Sequence, residues 1–91
     1  MKRLLLVSLL TACGEPYVNS PQHAWSEYRT DRLSESCQQT ERFEVHGREK
    51  CDCIVRGLRT IYSEDEFIRS RRNDPKSNEV TLSCIRYYNF P

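Results

Sequence analysis

The chain lacks the parts of a large or membrane-spanning protein. Its longest apolar run, Leu4 to Leu10, is seven residues long and contains Ser8, far short of the ~20 residues that cross a bilayer as a helix. It has no internal repeat and no low-complexity run, so repeat architectures are excluded. No excess of one charge is present either. Fourteen Lys+Arg stand against 13 Asp+Glu, a formal +1, and no basic field draws the chain to nucleic acid. The strings G-x-S-x-G, H-E-x-x-H, the P-loop and G-x-G-x-x-G are absent, and with them the common hydrolytic and nucleotide chemistries. His23 and His46 stand isolated from each other, His23 in a polar stretch and His46 before a turn. Ninety-one residues hold one minor core and no cofactor domain. These gaps favour a binding module over an enzyme, and no small-molecule substrate is expected.

What is present begins at the N-terminus. Met1-Lys2-Arg3 is basic, Leu4 to Leu10 is apolar, and Leu10-Thr11-Ala12-Cys13 closes the segment on a cysteine. A basic stretch, a short apolar stretch and small residues before a cleavage point make an export signal, here residues 1–12. The L-T-A-C string resembles the lipobox of bacterial lipoproteins. That resemblance, which covers the first thirteen residues, implies diacylglycerol on the Cys13 sulfur, cleavage after Ala12 and acylation of the freed amino group. The mature chain would have 79 residues and a charge of −1, because Lys2 and Arg3 leave with the signal. One acyl chain at ~0.8 kcal/mol per CH₂ holds a protein marginally, whereas two or more hold it stably. Gly14 stands where the lipoprotein family commonly carries an Asp for inner-membrane retention. The resemblance therefore implies the outer membrane of a Gram-negative host, on its periplasmic side. Beyond this covalent lipid no cofactor is expected.

Residues 13–23 continue as a tether. Gly14 to His23 (GEPYVNSPQH) carries two prolines, a glycine and polar residues, with no period of 2 or 3.6. Ten such residues span at most ~35 Å. A small domain, residues 24–91, follows, and its pattern predicts a mainly α fold stapled by disulfides. Trp25, Tyr28, Leu33 and Cys37 mark a first segment, with Asp31 as a cap for a helix from Arg32. In Lys50 to Tyr62, Cys51, Ile54, Val55, Leu58, Ile61 and Tyr62 share one helical face. Gly57 lies off that stripe, at a cost of roughly 1 kcal/mol against Ala. Ser63-Glu64-Asp65-Glu66 is a capping-box string that opens a short helix ending in Arg69, Arg71 and Arg72. Asn73-Asp74-Pro75 reads as a stop and a start, with Asp74 as N-cap and Pro75 at the first helical position. The last segment, from Ser77 to Phe90, fits a helix through Val80, Cys84 and Tyr88. It also fits a strand through Val80, Leu82 and Cys84, and the Asp-Pro start favours helix.

With Cys13 acylated, Cys37, Cys51, Cys53 and Cys84 remain. An even number in a small exported chain predicts two disulfides rather than a metal site. Helical residues two apart point ~200° away from each other, so Cys51 and Cys53 should pair with different partners. Cys51 lies on the apolar stripe and Cys84 on the Val80/Tyr88 face. The expected pairs are therefore Cys51–Cys84 and, across the turn near Gly47, Cys37–Cys53.

The candidate contact residues are aromatic and cationic. Trp25 and Tyr88 read as core. Tyr17, in the tether, reads as a contact. Arg69, Arg71 and Arg72 are a second candidate surface, although the plainer reading is a solvated face balancing Glu64, Asp65 and Glu66. Without its signal the chain has ten Arg and two Lys, and Arg suits bidentate recognition of carboxylates. Signal, lipobox, short tether and small disulfide domain together resemble the lytic-conversion, or superinfection-exclusion, lipoproteins of tailed phages. That likeness of plan implies a protein that binds an outer-membrane receptor from the periplasmic side and inactivates it. The alternative is an accessory lipoprotein of a host envelope or secretion assembly, and a periplasmic hydrolase inhibitor is a third class.

Overall fold

The computed structural model describes residues 14–42, 44–70 and 74–89. Cys13 with the signal before it, and Arg71 and Arg72, lie outside the described residues. Four helices follow in order: α1 Glu27–Glu41, α2 Gly47–Ile61, α3 Glu64–Arg69 and α4 Pro75–Asn89. No strand occurs among the described residues. The mainly helical fold is as expected, and the C-terminal segment is helix. Its start explains why. The Asp74 carboxylate accepts a hydrogen bond from the Lys76 backbone N–H at 2.9 Å, and its carbonyl accepts one from the Asn78 N–H at 3.1 Å. Pro75 supplies a fixed φ at the first turn. That nucleus overrides the β-forming residues downstream.

Helix α1 begins earlier than the sequence suggests. Ser26, not Asp31, is the N-cap: its hydroxyl accepts from the Arg29 N–H at 3.2 Å. Asp31 is an exposed residue one turn further on. A tertiary contact selects Ser26. Its N–H and hydroxyl donate to the two oxygens of Glu64, at 3.1 and 2.6 Å. Glu64 opens α3, and Ser63 and Glu66 form the reciprocal capping box there. The N-termini of α1 and α3 are thus fastened to each other.

Helix α2 is central, with α1 on one side and α4 on the other. Cys51, Val55 and Leu58 are buried as their periodicity predicts, but so are Cys53 and Gly57. At 100° per residue the buried arc is roughly 200° wide. The disulfides are Cys37–Cys51 and Cys53–Cys84, so the expected Cys37–Cys53 and Cys51–Cys84 have their partners exchanged. The two cysteines of α2 do face opposite ways, Cys51 toward α1 and Cys53 toward α4, the reverse of what the apolar stripe suggests. Cys53 and Gly57, one turn apart, form the face on which α4 packs with Val80 and Cys84, also one turn apart. Cys51 looks to α1. A Cβ on Gly57 would stand 2.5 Å from Val80 Cγ1 and 2.9 Å from the Tyr17 ring. Gly57 is therefore the contact that lets α4 and the N-terminal segment close on α2.

The core gathers Trp25, Cys53, Leu58, Tyr62, Val80 and Cys84. Trp25 donates from Nε1 to the Tyr62 carbonyl at 3.1 Å and lies 4.8 Å from the Phe67 ring. Tyr88, also read as core, is half-buried against this cluster.

Candidate binding surface

The segment read as a tether lies on the domain. Glu15 forms an ion pair with Arg56, and both side chains are about three-quarters buried. The Pro16 carbonyl sits 4.0 Å from the Cys53 sulfur. Tyr17 packs against the core over Gly57, and its carbonyl accepts from the Ser20 N–H in a turn. The His23 N–H donates to the Arg59 carbonyl at 2.7 Å. Tyr17 has φ 66°, a conformation that a bulky aromatic residue adopts only when its surroundings impose it. Local preference did not predict this docking, because the partners are far away in sequence. Residues 14–23 are a strap along α2, and Tyr17, expected as a free contact, is one of its attachment points.

Burial raises the Tyr88 phenol above its ordinary range, and the hydrogen bond and charge of Glu15 add to this. The Tyr88 ring also lies 5.9 Å from the His46 ring, tilted by 36°, and His46 stands before α2 in the left-handed region at φ 60°. His46 Nδ1 lies 2.9 Å from a Glu49 oxygen, and that hydrogen bond lowers the Glu49 carboxyl.

Arg69 is exposed, with its guanidinium 3.8 Å from Asp65 one turn back. An ion pair so solvated adds little. Arg69 thus sits solvated beside one of α3's own acids.

The surface that the sequence did not single out is the first turn of α1. Tyr28 is 66% exposed, with the Arg29 and Arg32 guanidinium carbons 5.9 and 5.8 Å from its ring centre. Arg29 also reaches Glu64 at 3.9 Å. A tyrosine beside two arginines combines the residue types that dominate binding hot spots with cation–π contacts that preorganise them. The signal was present in Tyr28-Arg29 and the i,i+4 spacing to Arg32. It was readable only once the helix was known to begin at Glu27.

Hydrogen bonds from Ser26 lower the Glu64 carboxyl, and the Ser63 and Lys76 backbone N–H groups do the same for Glu66 and Asp74. Among the described residues no group of three or more His, Cys, Asp or Glu is placed to hold a metal ion. No helix among them is long and apolar enough to cross a membrane. The chain matches no family model, and no curated protein or solved structure matches it.

Proposed function

We propose that this chain is an outer-membrane lipoprotein that binds a neighbouring envelope protein from the periplasmic side and blocks it, the partner being an outer-membrane receptor used by phage. The observation that carries the reading is cysteine usage. Cys37, Cys51, Cys53 and Cys84 pair as two disulfides, as expected of an oxidising compartment. The fifth cysteine, Cys13, ends the L-T-A-C string. The protein acts by occupying a surface rather than by catalysis, and the Tyr28, Arg29 and Arg32 cluster is the face offered to the partner. An acidic patch rimmed with apolar groups suits it.

Purification of the acylated protein from cross-linked envelopes, with the partner identified by mass, tests the reading. Recovery of an outer-membrane barrel, lost on Tyr28→Ala with Arg32→Ala, supports it. Recovery of a multi-subunit envelope machine instead supports an accessory role in assembly. If Cys13→Ser protein still incorporates fatty acid and sediments with outer membranes, the lipoprotein reading is wrong.

A further inference from the structure

The two disulfides differ in access. Cys53 and Cys84 are fully buried, as is Cys51, whereas Cys37 keeps part of its surface in solvent. Thiol–disulfide exchange needs a thiolate to reach one sulfur of the pair. Of the four paired cysteines, Cys37 is the one that meets this condition in the folded chain. What the two bonds hold differs as well. The second half of α1, Ser34 to Glu41 (SESCQQTE), is polar apart from Cys37. The first half has other fasteners: Ser26 and Arg29 on Glu64, and Leu33 against the core. Cys37–Cys51 thus ties down the polar half of a helix that has no fully buried residue. A 15-residue helix without such support is marginal in water.

Resting on the binding reading of the Tyr28 cluster, we propose that Cys37–Cys51 is a thiol-exchange site, entered at Cys37 by a dithiol reductant, and that opening it turns the cluster off. One thiol of the reductant loses its proton and attacks Cys37 Sγ. The bond to Cys51 breaks, and its electron pair leaves on the Cys51 sulfur, which takes up a proton. The second thiol, deprotonated in turn, displaces Cys37 from the mixed disulfide, and Cys37 takes up the second proton. Two electrons pass to the protein, and the dithiol ends as a disulfide. Cys53–Cys84 stays closed and the core stays folded, while α1 frays back from Glu41. Tyr28 and Arg32 share a face only while the helix between them is intact, so fraying disperses the cluster.

The test treats acylated mature protein in detergent, under native conditions, with dithiothreitol, and maps the opened cysteines by alkylation. Cys37 and Cys51 should be labelled about tenfold faster or more than Cys53 and Cys84. With reduced glutathione instead, the trapped adduct should map to Cys37 and not to Cys51. In half-reduced protein, amide exchange should quicken in Glu27–Glu41 and stay slow in α2 and α4. Half-reduction should also lower the capture of an envelope protein that depends on Tyr28 and Arg32 about fivefold or more, and reoxidation should restore it. Cys37→Ser with Cys51→Ser should capture at the lower level and ignore the reductant. If both disulfides open together, or the glutathione adduct maps to Cys51, the exchange site is wrong. If Cys37–Cys51 opens alone but capture is unchanged, control of the cluster is wrong while the binding reading stands. If the oxidised protein captures nothing that Tyr28→Ala with Arg32→Ala abolishes, the binding reading itself fails and takes the control with it.

Discussion

The two sides of α2 are built differently. Toward α4 it is dry: Cys53 and Cys84 are fully buried, Val80 nearly so, and the strap closes over Gly57. Toward α1 it is thinly covered. Helix α1 has no fully buried residue, and Leu33 and Cys37 are only half-buried. On the α4 side the disulfide adds to packing that already exists. On the α1 side Cys37–Cys51 and the clasp of Ser26 with Glu64 stand in for packing. A chain this small divides its stability between a core and covalent or polar fasteners, because its core alone is marginal.

The largest expected effects follow from that contrast. Cys53→Ala with Cys84→Ala removes a link across 31 residues, about 3.7 kcal/mol of chain entropy, and leaves cavities in the core. Cooperative thermal unfolding, followed by near-ultraviolet circular dichroism, should be lost. Cys37→Ala with Cys51→Ala removes a link across 14 residues, about 3 kcal/mol. Here the core signal should survive, while amide exchange speeds up selectively in Glu27–Glu41. Global exchange in the second variant, equal to that in the first, would show that the two sides are energetically alike.

Next comes Gly57→Ala. Helix propensity alone gives a gain of about 1 kcal/mol. The new methyl, however, meets Val80 Cγ1 and the Tyr17 ring, and Val80 is stiff at χ1 in a helix. A net loss of about 1–3 kcal/mol is expected, read as a lower chemical-denaturation midpoint. A stabilised variant would mean that the strap and α4 do not press on α2. Gly47 makes a similar close approach, with a Cβ there running into the Glu41 carbonyl.

Much of this architecture was legible in the chain. The stripe of α2, the Ser63 box and the Asp74-Pro75 start depend on neighbours within a turn or two, and each appears where its pattern lies. The features that local pattern does not reveal share one cause. Ser26 as a cap depends on Glu64, Tyr17 on Gly57, and Glu15 on Arg56 and Tyr88, all partners distant in sequence. The exchanged disulfides belong here as well. By propensity Gly57 reads as a defect, whereas it marks, together with Cys53, the face that receives Val80 and Cys84. Among the site residues, the paired cysteines were recognisable from their number, whereas the Tyr28 cluster needed the true start of α1.

The smallest expected effect tests the polar side of the comparison. Ser26→Ala removes both hydroxyl contacts, the α1 cap and the bond to Glu64, leaving the backbone N–H of residue 26 to Glu64. The loss should be about 1 kcal/mol, as for N-caps generally, with the core spectrum unchanged. Its pH dependence distinguishes a clasp from a simple cap. Ser26 holds the Glu64 carboxyl below its ordinary value of 4.5. A carboxyl depressed in the folded state contributes stability at pH values above its unfolded pKa and loses it as pH falls through the folded one. The parent should therefore lose stability on acidification below about pH 4.5, along with the contributions of Glu49, Glu66 and Asp74, which are lowered too. In Ser26→Ala the Glu64 share of that decline should shrink, so the gap between parent and variant narrows as pH falls. A gap that stays constant from neutral pH to pH 3 would mean that Ser26 serves α1 alone and that its contact with Glu64 adds nothing.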